Sequence, residues 1–476
     1  MSRPSFLARL LDVPRARPAL HVDDRWTTYG DLVDLGEHTA GWLRDQGVQR
    51  GDRVVIQLDN GLPLIAAHLG CMALGAVRVP VNAHYLAAEV ATIVEDAAPR
   101  LVIADHAALY PGLAVFAAPG SGTPVRDWPT PPDDVTGLLF TSGTTGRAKG
   151  VPQTYGMWET NLDAVARRWA LTPEDRLHLV LPLFHTHGLV LGLHHTLLRG
   201  ASARVGRRFL PDPLAPDVTH VYGVPTYYHR WLPLMQSSPE GFSRLCLMVS
   251  GSDGMDAALS DAIHAATGQR ILERYGMTET VMITSNPAAG ERRAGTVGPP
   301  LDGVEVRLVD GEVQVRGPSL FQGYRRYAPV FAEWRDGYTA DGWFATGDAG
   351  EWAAGEGGAA GYLRIVGRKK DLVIVGGVNV APAEVEGVLA RVPGVVEVGV
   401  CGLPDDDLGE VVAAAVVPDG TVGEAALRVA LDHAAHQLSG LKRPRAWAFV
   451  DRLPRNALGK LMRARIRAEV DFDRTG

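Results

Sequence analysis

Apolar positions recur at helical spacing through TYGDLVDLGEHTAGWLRDQ, residues 28–46, then give way after a glycine-containing turn to the unbroken run RVVIQL at 53–58. The first pattern predicts an amphipathic helix and the second a buried strand. The alternation repeats. IAAHLGCMALGAVRVPV (65–81) reads as a buried helix running into a strand, and AAEVATIVEDAAPRLVIA (87–104) as another such pair. Helix and strand signals alternating in this way predict an α/β fold with mostly parallel strands. Residues 117–134, AAPGSGTPVRDWPTPPDD, are rich in Pro, Gly and Ser and form a loop. A second α/β run covers roughly 155–285, and short β-like pieces (GVEVRLV, GEVQVRG) continue to about 366. Charge concentrates in GRKKD, 367–371, and the last hundred or so residues have the size of a small separate domain.

Length and composition narrow the class. A chain of 476 residues exceeds what one core usually organises, so two or more domains are expected. Hydrophobic content of 46% and charged content of 21% are those of a soluble globular protein. The net charge of −7 argues against nucleic acid or an anionic membrane as partner. Cys71, Cys246 and Cys401, odd in number and far apart, fit a reducing cytoplasm and exclude a disulfide framework. The apolar region 62–81 is interrupted by His68 and Arg78, so no membrane span is expected, and the N-terminus lacks the apolar core of a signal peptide.

The chemistry concentrates in TSGTTGRAKG, 141–150. It places three glycines, four hydroxyls (Thr141, Ser142, Thr144, Thr145) and Lys149 directly behind the apolar run GLLF. Glycines let backbone N–H groups converge on one oxyanion while hydroxyls and an ammonium add donors. The spacing is not that of a Walker A loop, because Arg147 and Ala148 separate Gly146 from Lys149 and a glycine follows the lysine. Further along, YGMTE (275–279) sets an aromatic, a hydroxyl and a carboxylate in one turn. TGD (346–348) offers a carboxylate suited to ribose hydroxyls, and PRNALGK ends in Lys460. Taken singly, each has a bland reading as a turn, a helix start or a solvated charge.

In this order the motifs resemble the adenylate-forming superfamily of acyl-CoA synthetases, carrier-loading adenylation domains and luciferases, over nearly the whole chain from TYGDL to Lys460. The resemblance implies a large N-terminal domain of α/β subdomains with a small β-barrel-like part (1–367), a hinge (368–371) and a small mobile α+β C-terminal domain (372–476). It also assigns roles by position. Thr141, Ser142, Gly143, Thr144, Thr145, Gly146 and Lys149 would hold the β and γ phosphates of ATP. Ser250, Gly251, Ser252, Tyr275, Gly276 and Met277 would frame the nucleotide, with Tyr275 stacked on adenine. Thr278 would contact the α-phosphate, and Glu279, with Thr144, would hold Mg²⁺. Asp348 and Arg368 would take the ribose hydroxyls, and Lys460 would bridge the acyl carboxylate and the α-phosphate. Rotation about Lys370 would withdraw Lys460 and bring Gly376 and Gly377 toward the pantetheine arm of CoA, whose phosphates Lys442 and Arg443 would meet.

The residue types suit the reaction. A carboxylate attacking a phosphate brings anion to anion, so charge neutralisation and in-line positioning do the work and no nucleophilic side chain is needed. For the acid, GVPTYYHR, LPLFHTHGLVLG and ERRAGTVG resemble the malonyl-CoA synthetase branch. That implies Arg230 and Arg293, with Arg292 a substitute, as partners of a second carboxylate, and His185, Met282 and His187 as walls of a short pocket. His194 and His195 lack a carboxylate or cysteine at ligand spacing and read as core or surface histidines. GSDGM (251–255) departs from the family by placing Asp253 and Gly254 beside the expected nucleotide site, and VGGVNVAPAEVE resembles general acyl-CoA synthetases more than the malonyl branch. Three readings follow. The first is a cytoplasmic ligase, monomer or homodimer, joining malonate or methylmalonate to CoA. The second is a free-standing enzyme loading a carrier protein. The third is an enzyme activating another oxyanion, such as nitrite, for transfer to an amine. A non-catalytic binding protein is disfavoured by the joint presence of Glu279, Asp348 and Lys460.

Overall fold

The computed structural model describes residues 6–128, 131–141, 148–353, 361–455 and 461–474. They fall into two compact units. The first comprises residues 1–306, 315–344 and 354–363, and the second residues 307–314, 345–353 and 364–476. Residues 368–371 lie within the second unit, where Arg368 forms an ion pair with Asp348, and Lys369 with Glu312, joining the start of the C-terminal stretch to those two earlier segments.

The first unit is built on two eight-stranded sheets. One runs, edge to edge, through Ala332–Trp334, Tyr324–Arg326, Lys149–Thr154, Val135–Thr141, Val77–Pro80, Arg53–Gln57, Leu101–Ala104 and Val115–Phe116. Its central strands are parallel, as the repeating helix-to-strand pattern predicts. The helix Tyr29–Asp45 begins at a capping box: Thr28 Oγ1 accepts from the Asp31 N–H (3.1 Å) and Asp31 Oδ2 accepts from the Thr28 N–H (2.8 Å). Such a cap contributes on the order of 1 kcal/mol. The helix Leu62–Leu74 is apolar on nearly every side, and it is buried from Leu64 to Ala73. The anion-cradle sequence connects the antiparallel strands Val135–Thr141 and Lys149–Thr154, where Thr141 and Lys149 are directly opposed.

The second sheet orders its strands Thr284–Ser285, Leu272–Tyr275, Leu247–Ser250, His220–Gly223, Arg176–Leu179, Ser202–Val205, Pro18–Val22 and Arg25–Thr28. The six central strands are parallel. From Arg176–Leu179 the chain moves to one side, into Ser202–Val205, while the next strand, His220–Gly223, lies on the other side. That reversal is a topological switch point, and open parallel sheets bind ligands in the crevice at the carboxyl ends of the strands there. The residues leaving those ends are 180–187, 224, 251–255 and 276–282, which include His185, Gly251, Ser252, Thr278, Glu279 and Met282 of the candidate site.

In the second unit, Val395–Asp405 and Gly409–Pro418 pair along their length. Val373–Val375, Val378–Val380, Ala446–Phe449 and Asp473–Arg474 extend this sheet, and a core that includes Val385, Leu389, Leu427, Leu431 and Trp447 lies against the helices Pro382–Leu389 and Glu424–Ala435. The pieces expected to make a barrel-like part form a four-stranded sheet: Glu305–Val309, Glu312–Arg316, Phe344–Ala353 and Tyr362–Arg368.

Glu273, in strand Leu272–Tyr275, is 5% exposed and accepts a hydrogen bond from the Gly295 N–H (2.8 Å). Burial pushes its carboxyl up to about 8 against that hydrogen bond, which favours the anion. The folded protein then keeps a proton that the unfolded chain releases from about pH 4.5 upward, so stability falls as pH rises between about 4.5 and 8. Glu273→Gln keeps the acceptor without the charge. Its thermal stability is expected to match the parent near pH 4.5 and exceed it by on the order of 2–4 kcal/mol at pH 8. Parallel melting curves across that range check this; an unchanged pH slope in the variant contradicts it.

Candidate active site

The carboxyl ends of the parallel strands carry a group of buried donors without partners among the described residues. Arg274 is 4% exposed, and its Nε and Nη2 have no hydrogen-bond partner among the described residues. Ser250 Oγ and His187 Nε2 are likewise buried and unpartnered, while His187 Nδ1 lies 3.1 Å from Ser252 Oγ. Gly251 permits this packing, since a Cβ there would come within 2.5 Å of Arg274 Nε. Burial, with the Arg274 charge second, holds the His187 pKa well below the usual imidazole range, so the ring is neutral. Burial holds the Arg274 pKa below its ordinary value. An unpaired buried guanidinium costs free energy until an anion meets it. The cluster therefore has the chemistry of an anion subsite.

The YGMTE turn is fixed from beneath by amides of the neighbouring sheet and helix. Gln153 Nε2 donates to the Thr278 carbonyl (2.8 Å) and to Thr186 Oγ1 (3.2 Å), and Gln153 Oε1 accepts from Trp158 Nε1 (3.0 Å). Asn161 Nδ2 donates to the Met282 carbonyl (2.8 Å). Val281 is held at φ 65° and Ser252 at φ 68°. For a β-branched residue the left-handed region costs on the order of 1–3 kcal/mol, and such strain clusters at functional sites. Tyr275 is partly exposed, whereas Thr278 and Glu279 are buried.

Glu279 and Lys149 meet through Tyr324. The Tyr324 hydroxyl donates to Glu279 Oε1 (2.9 Å), the Lys149 ammonium lies 5.0 Å from the Tyr324 ring centre, and Lys149 forms an ion pair with Asp336. Glu279 brings a hard carboxylate oxygen, which fits Mg²⁺, an ion that keeps several waters and takes one or two protein carboxylates beside substrate phosphates. Among the described residues no cluster of three or more His, Cys, Asp or Glu could hold a metal by itself.

The second unit carries Asp348, 5% exposed, whose Oδ1 lies 2.9 Å from Arg368 Nε. Arg368 Nη1 also donates to the Thr346 carbonyl (3.3 Å). Lys370 is exposed in the turn Lys369–Asp371. Gly376 and Gly377, both at positive φ, make the two-residue turn between antiparallel strands Val373–Val375 and Val378–Val380. Lys442 is paired with Glu384 (2.7 Å), and Arg443 Nε donates to the Leu438 carbonyl (3.0 Å).

The arginines expected to meet the acid are not among these unpartnered buried donors. Arg230 is exposed at the end of the TYYHR stretch. Arg293 makes a two-pronged pair with Glu291 (2.7 and 2.8 Å) and stacks on Tyr362, and Arg292 donates to the carbonyls of Pro287, Arg270 and Ala288. Met282 is fully buried, and His185 is half-buried beside Phe184. Asp253 is exposed, with its Oδ1 accepting from the Gly254 N–H. His194 lies 2.5 Å from His68, deep in the core, and His195 packs on Trp169. Ser142, Gly143, Thr144, Thr145, Gly146 and Lys460 lie outside the described residues.

Sequence reading missed Arg274, Gln153, Asn161 and Tyr324. The signal for Arg274 was present: a charged residue inside LERYG, an otherwise buried strand end, next to the nucleotide motif. The others act through hydrogen bonds between elements far apart in sequence, which no local pattern announces.

Residues 8–325 match the family of AMP-binding enzymes, and residues 384–460 match the AMP-binding enzyme C-terminal domain. The chain is 30% identical to a 2-succinylbenzoate–CoA ligase of Bacillus licheniformis over 98% of this chain and 100% of that protein. Among solved structures it resembles ATP-bound MatB from Rhodopseudomonas palustris (35% identity, TM-score 0.87, 98% of both chains). It also resembles a malonyl-CoA ligase in a product complex with methylmalonyl-CoA and AMP (38% identity, TM-score 0.67, 94% of this chain and 99% of the other). With the fold, the strand-end site and these likenesses together, the chain belongs to the AMP-binding enzymes of the adenylate-forming superfamily and is an ATP-dependent, AMP-forming acyl-CoA ligase.

Proposed function

We propose that the acid is a short dicarboxylate, malonate or methylmalonate, activated as its acyl adenylate and transferred to the thiol of CoA. The observation that carries this reading is the unpartnered Arg274 guanidinium, grouped with His187, Ser250 and Ser252 at the strand ends. A second carboxylate on the substrate supplies the missing counter-charge, and a planar guanidinium matches it with parallel hydrogen bonds. The malonyl-CoA ligase likeness supports the same acid class. Arg274 joins Arg230 and Arg293 as a candidate partner of that carboxylate; without ligand Arg230 is exposed and Arg293 is paired with Glu291.

The remaining residues serve the first half-reaction as the family resemblance implies. The 141–150 loop, with Lys149, holds the terminal phosphates; Tyr275 stacks on adenine; Thr278 meets the α-phosphate; Asp348 and Arg368 take the ribose. Lys460 draws the acyl carboxylate and the α-phosphate together by shielding their repulsion. Glu279, its carboxylate oriented by the Tyr324 hydroxyl, would hold Mg²⁺, which would supply further charge neutralisation on the phosphates. For the second half-reaction, Lys370 serves as the hinge, and the Gly376–Gly377 turn leaves space for the pantetheine arm. Lys442 and Arg443 reach CoA phosphates by exchanging their present partners.

Incubation with Mg·ATP, CoA and one of malonate, methylmalonate, succinate, acetate or benzoate, followed by quantification of AMP and thioester mass, tests the assignment. Malonate or methylmalonate is expected to give AMP and the matching thioester at roughly 100-fold or more the kcat/KM of acetate, because a monocarboxylate leaves Arg274 unpaired. Preference for benzoate or acetate contradicts the reading, and AMP without thioester contradicts the acceptor. Tyr324→Phe removes only the hydroxyl. It should lower kcat/KM by about tenfold and raise the Mg²⁺ concentration giving half-maximal rate, in line with other partners of metal-binding carboxylates; an unchanged Mg²⁺ dependence contradicts the role given to Tyr324.

A further inference from the structure

One carboxylate in the second unit grips both neighbours of the Asp348–Arg368 pair. Glu312 Oε1 accepts from the backbone N–H of Gly347 (3.1 Å), the residue before Asp348, and Glu312 Oε2 accepts from Lys369 Nζ (3.1 Å), the residue after Arg368. Its side chain is 16% exposed, while that of Lys369 is 49% exposed. The same strand, Glu312–Arg316, adds a third tie, because the Val313 carbonyl accepts from Thr346 Oγ1 (2.8 Å), and that oxygen in turn accepts from the Asp348 N–H (3.1 Å). Asp348 and Arg368 themselves are 2.9 Å apart. Two strands of one sheet, Phe344–Ala353 and Tyr362–Arg368, thus present the acidic and the basic group, and the Glu312 side chain holds the backbone N–H beside the first and the Lys369 ammonium beside the second.

A purely structural ion pair does not need this geometry. Glu312 divides its two oxygens between a main-chain donor and an ammonium, so neither flanking residue shifts without breaking a charge-assisted hydrogen bond, the stronger kind. Gly347 lies at φ 73°, a conformation in which its N–H is turned to Glu312 while the next residue, Asp348, takes its buried position. We infer that Glu312 is a positioning residue for nucleotide recognition, holding Asp348 and Arg368 at the separation and orientation that accept the ribose hydroxyls of ATP. The inference rests on the reading of Asp348 as the ribose acceptor. Pre-organised acceptors discriminate strongly against substrates that lack the hydroxyl, because the buried acceptor is then left unpaired. A loosened acceptor loses that discrimination first.

The test compares kcat/KM for ATP with that for 2′-deoxy-ATP and 3′-deoxy-ATP, followed as acid-dependent AMP formation, in the parent, Glu312→Ala, Glu312→Gln and Asp348→Ala, each with its melting temperature. Glu312→Ala is expected to cut the preference for ATP about tenfold or more, through KM for ATP, while the deoxynucleotides change little. Glu312→Gln keeps an acceptor for the Gly347 N–H and should retain most of the preference. Asp348→Ala should abolish it. If Glu312→Ala weakens all three nucleotides equally while Asp348→Ala removes the preference, Glu312 is structural and this inference alone is overturned. If Asp348→Ala leaves the preference intact, the ribose reading fails and takes this one with it. Should Glu312→Ala not fold, Lys369→Met removes one of the two grips at an exposed position; a roughly threefold loss of preference supports the role, and none overturns it.

Discussion

The acid specificity depends on a positive charge that is buried without a counter-charge among the described residues. The Arg274 guanidinium sits at the end of a parallel strand, walled by Gly251 and near the neutral His187. Side chains in such a place ordinarily pair within the protein, because an isolated buried ion is far costlier than a solvated one. Here no described residue offers a partner to Nε or Nη2. The cost is tolerable if the substrate completes the pair. It also becomes a source of selectivity, since an acid without a second carboxylate restores nothing.

Around that charge the protein invests in rigidity. Gln153 and Asn161, both buried, use their amides to hold the backbone of Thr278 and Met282, and Val281 stays in a conformation that few β-branched residues adopt. Tyr324 ties the Glu279 carboxylate to the surroundings of Lys149. In the second unit Glu312 plays a comparable part for Asp348 and Arg368. Several of the groups assigned to substrate, among them Thr278, Glu279 and Asp348, are thus steadied by a polar neighbour from another element. Pre-organisation of this kind lets charges act on the phosphates and carboxylates without first rearranging.

The sequence was legible where local pattern decides structure. The helix Leu62–Leu74 followed by strand Val77–Pro80, and the helix Ala87–Ala97 followed by Leu101–Ala104, stand where the hydrophobic periodicity predicted them. The glycine-rich stretch after GLLF does connect two strands, and YGMTE does leave a strand end. What periodicity could not supply was pairing between distant segments. Nothing local tells that Arg293 has Glu291 and Tyr362 for company while Arg274 has no such partner, or that Glu312 reaches both TGD and GRKKD. The grouping of Arg307–Gln314 and Ala345–Ala353 with the C-terminal residues has the same origin in long-range pairing.

The most direct test of the account is the stability and activity of Arg274→Met measured together. A methionine of similar length removes the unpaired charge and keeps much of the packing. If Arg274 exists to meet a substrate anion, the ligand-free variant should be more stable than the parent by on the order of 1–3 kcal/mol and yet lose nearly all dicarboxylate-dependent AMP formation. A variant that is markedly less stable, or one that still activates malonate with undiminished kcat/KM, would show that the guanidinium serves the fold or another ligand instead.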